Sequence, residues 1–227
     1  MTDIDIIVEG IYLIGGPNIS RAEDATSFII DFQSKLVMVD CGAGQSAQTL
    51  EMNIRSVGLD PAKISALILT HCHIDHIGAA PYFRNRFGCK ILVHELDAEA
   101  VEQGNPIRTA ANWYGIHFPP TPVDNRLIGE EETLQCKGGI LHWLHTPGHT
   151  PGSISIYIDR LGKRVLFGQD IHGPFNKSFG SDINQWKHSM AKLIALEADI
   201  LCEGHFGIFN GKDRVRRYIE RYLEEYD

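Results

Sequence analysis

No stretch of this 227-residue chain approaches the roughly 20 consecutive apolar residues that a membrane helix needs. A helical membrane span is therefore not expected. Basic residues are in deficit: 21 Lys and Arg against 29 Asp and Glu leave a formal net charge of −8. Without a basic stripe the chain lacks the general attraction to nucleic acid or anionic membrane that clustered cations provide. Cysteine is scarce. The five residues Cys41, Cys72, Cys89, Cys136 and Cys202 are odd in number, scattered and free of any C-x-x-C pair, so reduced thiols are expected rather than a disulfide framework. The first ten residues carry Asp3, Asp5 and Glu9 and no basic region followed by an apolar core, so they do not read as a signal peptide. A cytoplasmic location is the expectation. No tandem repeat, low-complexity tract or linker divides the chain.

Against these absences stands a hydrophobic content of 43%, enough for a substantial core. Short apolar runs predict strands at Asp5–Val8, Ile11–Ile14, Thr26–Phe32 and Lys35–Val39. Further strands are predicted at Ala66–Thr70, Ile91–His94, Val123–Ile128, Ile140–His145, Ser153–Ile158, Arg164–Phe167 and Ile200–Cys202. Several are nearly unbroken in apolar character, as strands buried on both faces are. Helices are expected near Gln45–Val57, Gly78–Phe87, Glu95–Gln103, Ile183–Glu197 and from Lys212 onwards. Asp60-Pro61 reads as an N-cap with proline at the first helical position. Strands precede helices in both halves, which suggests two packed sheets with helices outside. Gly104 to Asp124 breaks the pattern: it holds four prolines, Trp113, Tyr114, His117 and Phe118 and has no period. Such a stretch inside a compact domain reads as a lid, a specificity loop or a subunit contact.

The densest chemical signal is His71-x-His73-x-Asp75-His76, four metal-competent side chains within six residues at the end of an apolar strand. Imidazole and carboxylate suit zinc, iron and manganese. A surface loop with polar side chains is the plain alternative, but so dense a cluster is costly unless a positive charge neutralises it. His149, Asp170 and His205 each follow a strand or turn. Each taken singly reads as structural, and only the first cluster gives them weight.

Thr70 to Gly78 resembles the T-H-x-H-x-D-H-x-G signature of the metallo-β-lactamase superfamily. Thr146 to Ser153 resembles its second motif, Gly168-Gln169-Asp170 its third and Gly204-His205 its fourth. Val39-Asp40-Cys41-Gly42 is similar to its early D-x-G turn. The resemblance implies an α/β fold, a four-layer αβ/βα sandwich spanning 1–227 as one domain, with metals at one edge of the two sheets. It implies that His71, His73 and His149 hold a first ion, that Asp75, His76 and His205 hold a second, and that Asp170 bridges them. Asp40 would orient a ligand from behind, although an aspartate before glycine is equally a turn-former. Two divalent ions are expected, zinc first, with iron or manganese as alternatives. They would share a hydroxide, and Asp75 would orient it or carry its proton.

The full ligand set resembles most the hydroxyacylglutathione hydrolases, which implies hydrolysis of a small ester, thioester or lactone. The chain departs from that branch in ending soon after His205, and it lacks the tyrosine that lactonases of this fold carry after the bridging aspartate. Asp170 stands where some true β-lactamases carry cysteine, which argues against that activity. A mononuclear iron enzyme similar to the persulfide dioxygenases and a nuclease of the same fold are the alternative readings. Substrate contacts are expected from His172, His117, Trp113, Tyr114 and Phe118. His94, His142, His145 and His188 read as structural or surface groups, and Cys72 alternates away from the cluster. The partner is a small molecule; a homo-oligomer is left open.

Overall fold

The computed structural model describes residues 4–136 and 138–226; Asp3, part of the acidic N-terminal stretch, lies outside them. Seven strands form one sheet in chain order: β1 (Ile6–Val8), β2 (Ile11–Gly15), β3 (Ser27–Asp31), β4 (Leu36–Val39), β5 (Ile64–Ile68), β6 (Lys90–His94) and β7 (Asn125–Leu127). β1 to β4 pair antiparallel, and β4 to β7 parallel. The parallel half takes the crossover helices α1 (Ala47–Ser56), α3 (Ala80–Phe87) and α4 (Glu95–Gln103), the single turn α2 (Ile74–Ile77) lying before α3 and the single turn α5 (Ala111–Tyr114) after α4. The second sheet runs β13-β12-β11-β10-β9-β8. Its strands are β8 (Glu131–Cys136), β9 (Gly139–His145), β10 (Ile154–Arg160), β11 (Lys163–Gln169), β12 (Ile200–Glu203) and β13 (Ile208–Asn210). Helices α6 (Ile183–Ala195) and α7 (Lys212–Glu225) complete the chain.

Side-chain alternation along the strands sorts the apolar residues into layers. Phe28, Ile30, Val37, Val39 and Ile68 point from the first sheet towards Trp143, Ile156 and Phe167 of the second. Phe28 and Phe167 meet edge to face at 5.1 Å between ring centres, a favoured aromatic geometry. The intervening residues Ile29, Met38 and Leu67 point the other way and pack with Leu50, Phe83 and Val101 of α1, α3 and α4. On the far side Leu166 and Leu201 meet Trp186, Met190 and Ile219 of α6 and α7. The result is the expected four-layer αβ/βα sandwich. Strands that are covered on both faces favour apolar residues at every position, which is why β4 reads as an unbroken run and β5 as one broken only by Ser65.

Three elements differ from the sequence expectation. β8 carries Glu131, Glu132, Thr133 and Gln135 and is mostly exposed, so its composition hides an edge strand held by backbone pairing to β9. β13 has only three residues and is similarly placed at the other edge. The run expected over Val123–Ile128 narrows to Asn125–Leu127, because Asp124 turns its side chain back to accept from the Ile91 backbone N–H at 2.9 Å. No helix among the described residues is long and apolar enough to cross a membrane.

Two glycines set the distance between the first sheet and the histidine-rich loop after β5. A Cβ on Gly78 would lie 2.2 Å from the Ala43 carbonyl carbon, and one on Gly44 2.7 Å from the Gly78 oxygen. The D-x-G turn after β4 therefore crosses the end of α2 at backbone contact. Gly78→Ala must push the two loops apart; the expected loss is at least about 1–3 kcal/mol of unfolding free energy, read by urea denaturation. An unchanged midpoint would contradict this crossing.

Candidate metal centre

β5 ends at Ile68, and the chain then follows a tight loop into α2. Within that loop Cys72, Ile74 and Ile77 sink into the helix-side core, which leaves His71, His73, Asp75 and His76 facing a common space. The loop is pinned by backbone bonds from three directions. Ile74 N–H donates to Thr109 O at 2.7 Å, Ala25 N–H to Asp75 O at 3.1 Å and Cys41 N–H to His76 O at 2.7 Å. The Cys72 thiol is directed away, 3.3 Å from the Arg108 carbonyl.

The second sheet delivers the other three residues from its strand ends. His149 lies in the turn between β9 and β10, Asp170 directly follows β11, and His205 lies just beyond β12. Ile154 N–H donates to Thr70 O at 2.8 Å and Thr26 N–H to Gly204 O at 2.8 Å, so backbone bonds tie the two sheets together at this edge. All seven predicted metal-site residues are thus brought together. His71, His73, His149 and Asp170 form one group of converging donors, and Asp75, His76 and His205 a second. Asp170 faces both. Its Oδ2 lies 3.8 Å from His71 Nε2 and 3.3 Å from His149 Nε2. Its Oδ1 lies 3.1 Å from His76 Nε2 and 3.3 Å from His205 Nε2. Asp75 Oδ2 is 3.3 Å from His205 Nε2.

The donors fit a bound cation on two counts. His149 donates its Nδ1–H to Pro174 O at 2.9 Å, so its Nε2 presents a lone pair to His73 Nδ1 at 2.8 Å. His71 Nε2 and His73 Nε2 are buried with no hydrogen-bond partner, an expensive state unless an ion or water satisfies them. A tetrahedral ion with bonds of about 2.0–2.1 Å spaces its donors about 3.3 Å apart, and the separations above scatter around that value.

Electrostatics distinguishes the two groups. Burial, reinforced by neighbouring imidazoles, holds His71 and His73 well below the usual histidine range, so both are neutral and ready to ligate. Burial also acts downward on His76, but Asp170, Asp75 and Asp40 outweigh it and raise the group well above 6.5. His205 is likewise raised, to about 10, because Asp170 and Asp75 overcome its desolvation. Burial pushes Asp170 upward, and the facing His76 and His205 reverse this and hold it well below the usual carboxylate range.

Behind the ligands stand carboxylates that are themselves fully buried. Asp40 accepts from His76 Nδ1 at 2.7 Å, Thr70 N–H at 2.8 Å, Thr70 Oγ1 at 2.7 Å and Gln169 Nε2 at 2.7 Å. It thereby selects the His76 tautomer whose Nε2 is left for an ion. Asp40 and Gln169 both hold positive φ, 53° and 45°, uncommon for non-glycine residues. Glu203 accepts from the His205 N–H at 2.7 Å and from His172 Nδ1 at 2.8 Å. Glu203 and Gln169 escaped the sequence reading. The one signal for Glu203 is a charged residue ending the apolar strand Ile200-Leu201-Cys202.

A cavity of about 300 Å³ opens onto the two groups. Of the predicted substrate contacts, Trp113, Tyr114 and His172 line it, together with Phe179, Pro174 and Phe206. Phe118 does not: it is buried in the helix-side core, where the turn after α5 needs an apolar anchor. His117 is exposed and is not among the lining residues. His94 stacks on His145 at 4.0 Å and His142 on Tyr157 at 4.4 Å, both clear of the cavity. His188 bonds back to Asn184 O within its own helix.

Comparison with known proteins agrees with this geometry. The sequence model described as "Metallo-beta-lactamase superfamily" matches residues 21–205. An acyl-coenzyme A thioesterase, MBLAC2 of Gallus gallus, is 25% identical and aligns over 95% of this chain and 84% of its own. The hydroxyacylglutathione hydrolase GloC of Haemophilus influenzae is 31% identical over 64% of this chain and 65% of its own. Among solved structures, a metallo-beta-lactamase of Cronobacter sakazakii superposes with a TM-score of 0.84 at 21% identity, covering 98% of this chain and 92% of that one, and shares the fold.

A proton inventory tests the charge assignment. With His205 raised to about 10 and His76 also cationic, an ion can bind only by displacing their protons. Zinc binding near neutral pH is expected to release about one to two protons, and affinity is expected to climb with pH up to about 10. Calorimetric titration in buffers of different ionisation enthalpy reads this directly. Binding without proton release would contradict the assignment.

Proposed function

The chain belongs to the metallo-beta-lactamase superfamily, and from that premise we propose that it is a dinuclear metal-dependent hydrolase of small esters, thioesters or lactones. The observation that carries the dinuclear reading is Asp170, whose two oxygens face two separate sets of imidazoles. A single iron would use three of these residues and leave Asp75, His76 and His205 a second converging set with no ion to hold. His71, His73 and His149 would hold the first ion, Asp75, His76 and His205 the second, with Asp170 between them.

Divalent ions held there supply Lewis acidity and water that ionises near neutral pH. The protein's own groups supply position. Asp75 lines the cavity beside His205, where its carboxylate orients the attacking water and takes its proton. Tyr114 lines the cavity alongside Asp75 and offers a hydroxyl donor on the substrate side. Trp113 packs on Phe179 at 4.7 Å, and with Phe206 and Pro174 these rings form the apolar walls of the cavity. Among the described residues no lysine or arginine lines the cavity. That supports a neutral acyl group over a phosphodiester, whose transferred charge calls for cationic clamps. The names of the thioesterase and hydroxyacylglutathione hydrolase relatives support the same class.

The test is a panel of acyl thioesters, lactones and phosphodiesters, offered to metal-loaded protein with thiol or acid release followed. Thioester or ester turnover is expected, falling by about 10²–10³ in Asp170→Ala. Trp113→Ala is expected to raise KM more than it lowers kcat. Phosphodiester turnover without acyl turnover would overturn the substrate class, and oxygen consumption with a persulfide would overturn the reaction type.

A further inference from the structure

One fully buried carboxylate near the centre has no part in the chemistry above. Asp97, on α4, is 0% exposed and sits where two ligand loops meet. Its Oδ2 accepts from the Cys72 N–H at 3.0 Å and from the Thr150 hydroxyl at 2.6 Å. Its Oδ1 accepts from the Gly152 N–H at 3.0 Å. Cys72 lies between His71 and His73, and Thr150 directly follows His149. The three imidazoles of the first group therefore sit on the two loops that this one carboxylate joins. The Arg108 guanidinium, one-third exposed, pairs with it at 3.7 Å, beyond hydrogen-bond reach. The backbone is shaped for this contact, since a Cβ on Gly152 would lie 2.6 Å from the Asp97 carboxyl carbon.

A fully buried carboxylate whose counter-ion stands beyond hydrogen-bond reach is costly unless other donors satisfy it. Here the donors come from the ligand loops and from nowhere else in its own helix. The second group is held differently. Asp40 grips His76 itself, and Glu203 grips the His205 backbone. We infer that Asp97 is the positioning residue of the first ion, fixing the separation of the His71–His73 loop from the His149 loop, as Asp40 does for the second. The inference rests on the dinuclear reading above. It also reaches the substrate side. Arg108 belongs to the segment that carries Trp113 and Tyr114 over the cavity, and that segment's Thr109 O holds the ligand loop through Ile74 N–H at 2.7 Å.

Asp97→Asn preserves volume but turns one acceptor into a donor, so at least one of the three loop donors loses its partner. Stepwise titration of metal-free protein with zinc against a chromophoric chelator separates the two affinities, and His149→Ala identifies the step that belongs to the first group. In Asp97→Asn that step is expected to weaken by about 10–100-fold, with the other unmoved and occupancy restored by excess zinc. Equal weakening of both steps, or no change in either, would overturn the inference while leaving the dinuclear reading intact. A wild-type protein that takes up no zinc would overturn both. Should Asp97→Asn fail to fold by circular dichroism, Thr150→Val removes one of the same bonds and is expected to weaken the same step, by less. An unmoved first step in that variant would equally overturn the role.

Discussion

Everything at this edge of the molecule is arranged around uncompensated negative charge. Asp75, Asp170 and Asp40 are buried around one imidazole, each within 3.7 Å of a His76 nitrogen, and among the described residues no lysine or arginine lines the cavity beside them. A folded chain tolerates this only if positive charge is supplied in the same place. Protons on His76 and His205 supply some of it, which is why both groups are raised despite burial. Divalent ions supply it better, because they also satisfy imidazole nitrogens that otherwise point at one another. In this account the protein is a scaffold that stores a cation-shaped deficit and finds its use in the ion that fills it.

The fold meets that demand through strand ends. Both sheets stop at the same edge, and backbone bonds from Ile154 to Thr70 and from Thr26 to Gly204 close the gap between them. The core is apolar on both faces of the central strands, so polar residues can collect only where strands finish. Rigidity follows from crowding: Gly78 against Ala43, Gly148 against Trp186 and Gly152 against Asp97 leave no room for even a Cβ. Loops held by backbone contact, with buried carboxylates bracing them from behind, keep imidazoles in place before any ion arrives. Such preorganisation lets binding energy go into ligation rather than into ordering loops.

Much of this was legible in the sequence. His71 to His76, His149, Asp170 and His205 stand out because metal-type side chains interrupt apolar or glycine-rich runs, and the structure brings all of them to one place. The sandwich was legible because β4 carries no polar position and β5 only Ser65, as strands covered on both faces do. What escaped did so for physical reasons. β8 is polar because it is an edge strand held by backbone pairing, which composition does not register. Asp97 lies in an ordinary helical stretch, and its burial depends on loops 25 and 53 residues away. Phe118 and Trp113 are alike on the page. Only the turn after α5 decides that one enters the core and the other the cavity.

The most direct measurement is metal content per chain by elemental analysis, on protein purified without added metal and compared with a His71→Ala, Asp170→Ala double variant. The account predicts about two divalent ions per chain in the wild type, lost in the variant. Wild-type protein that holds no metal, even after reconstitution, would contradict it.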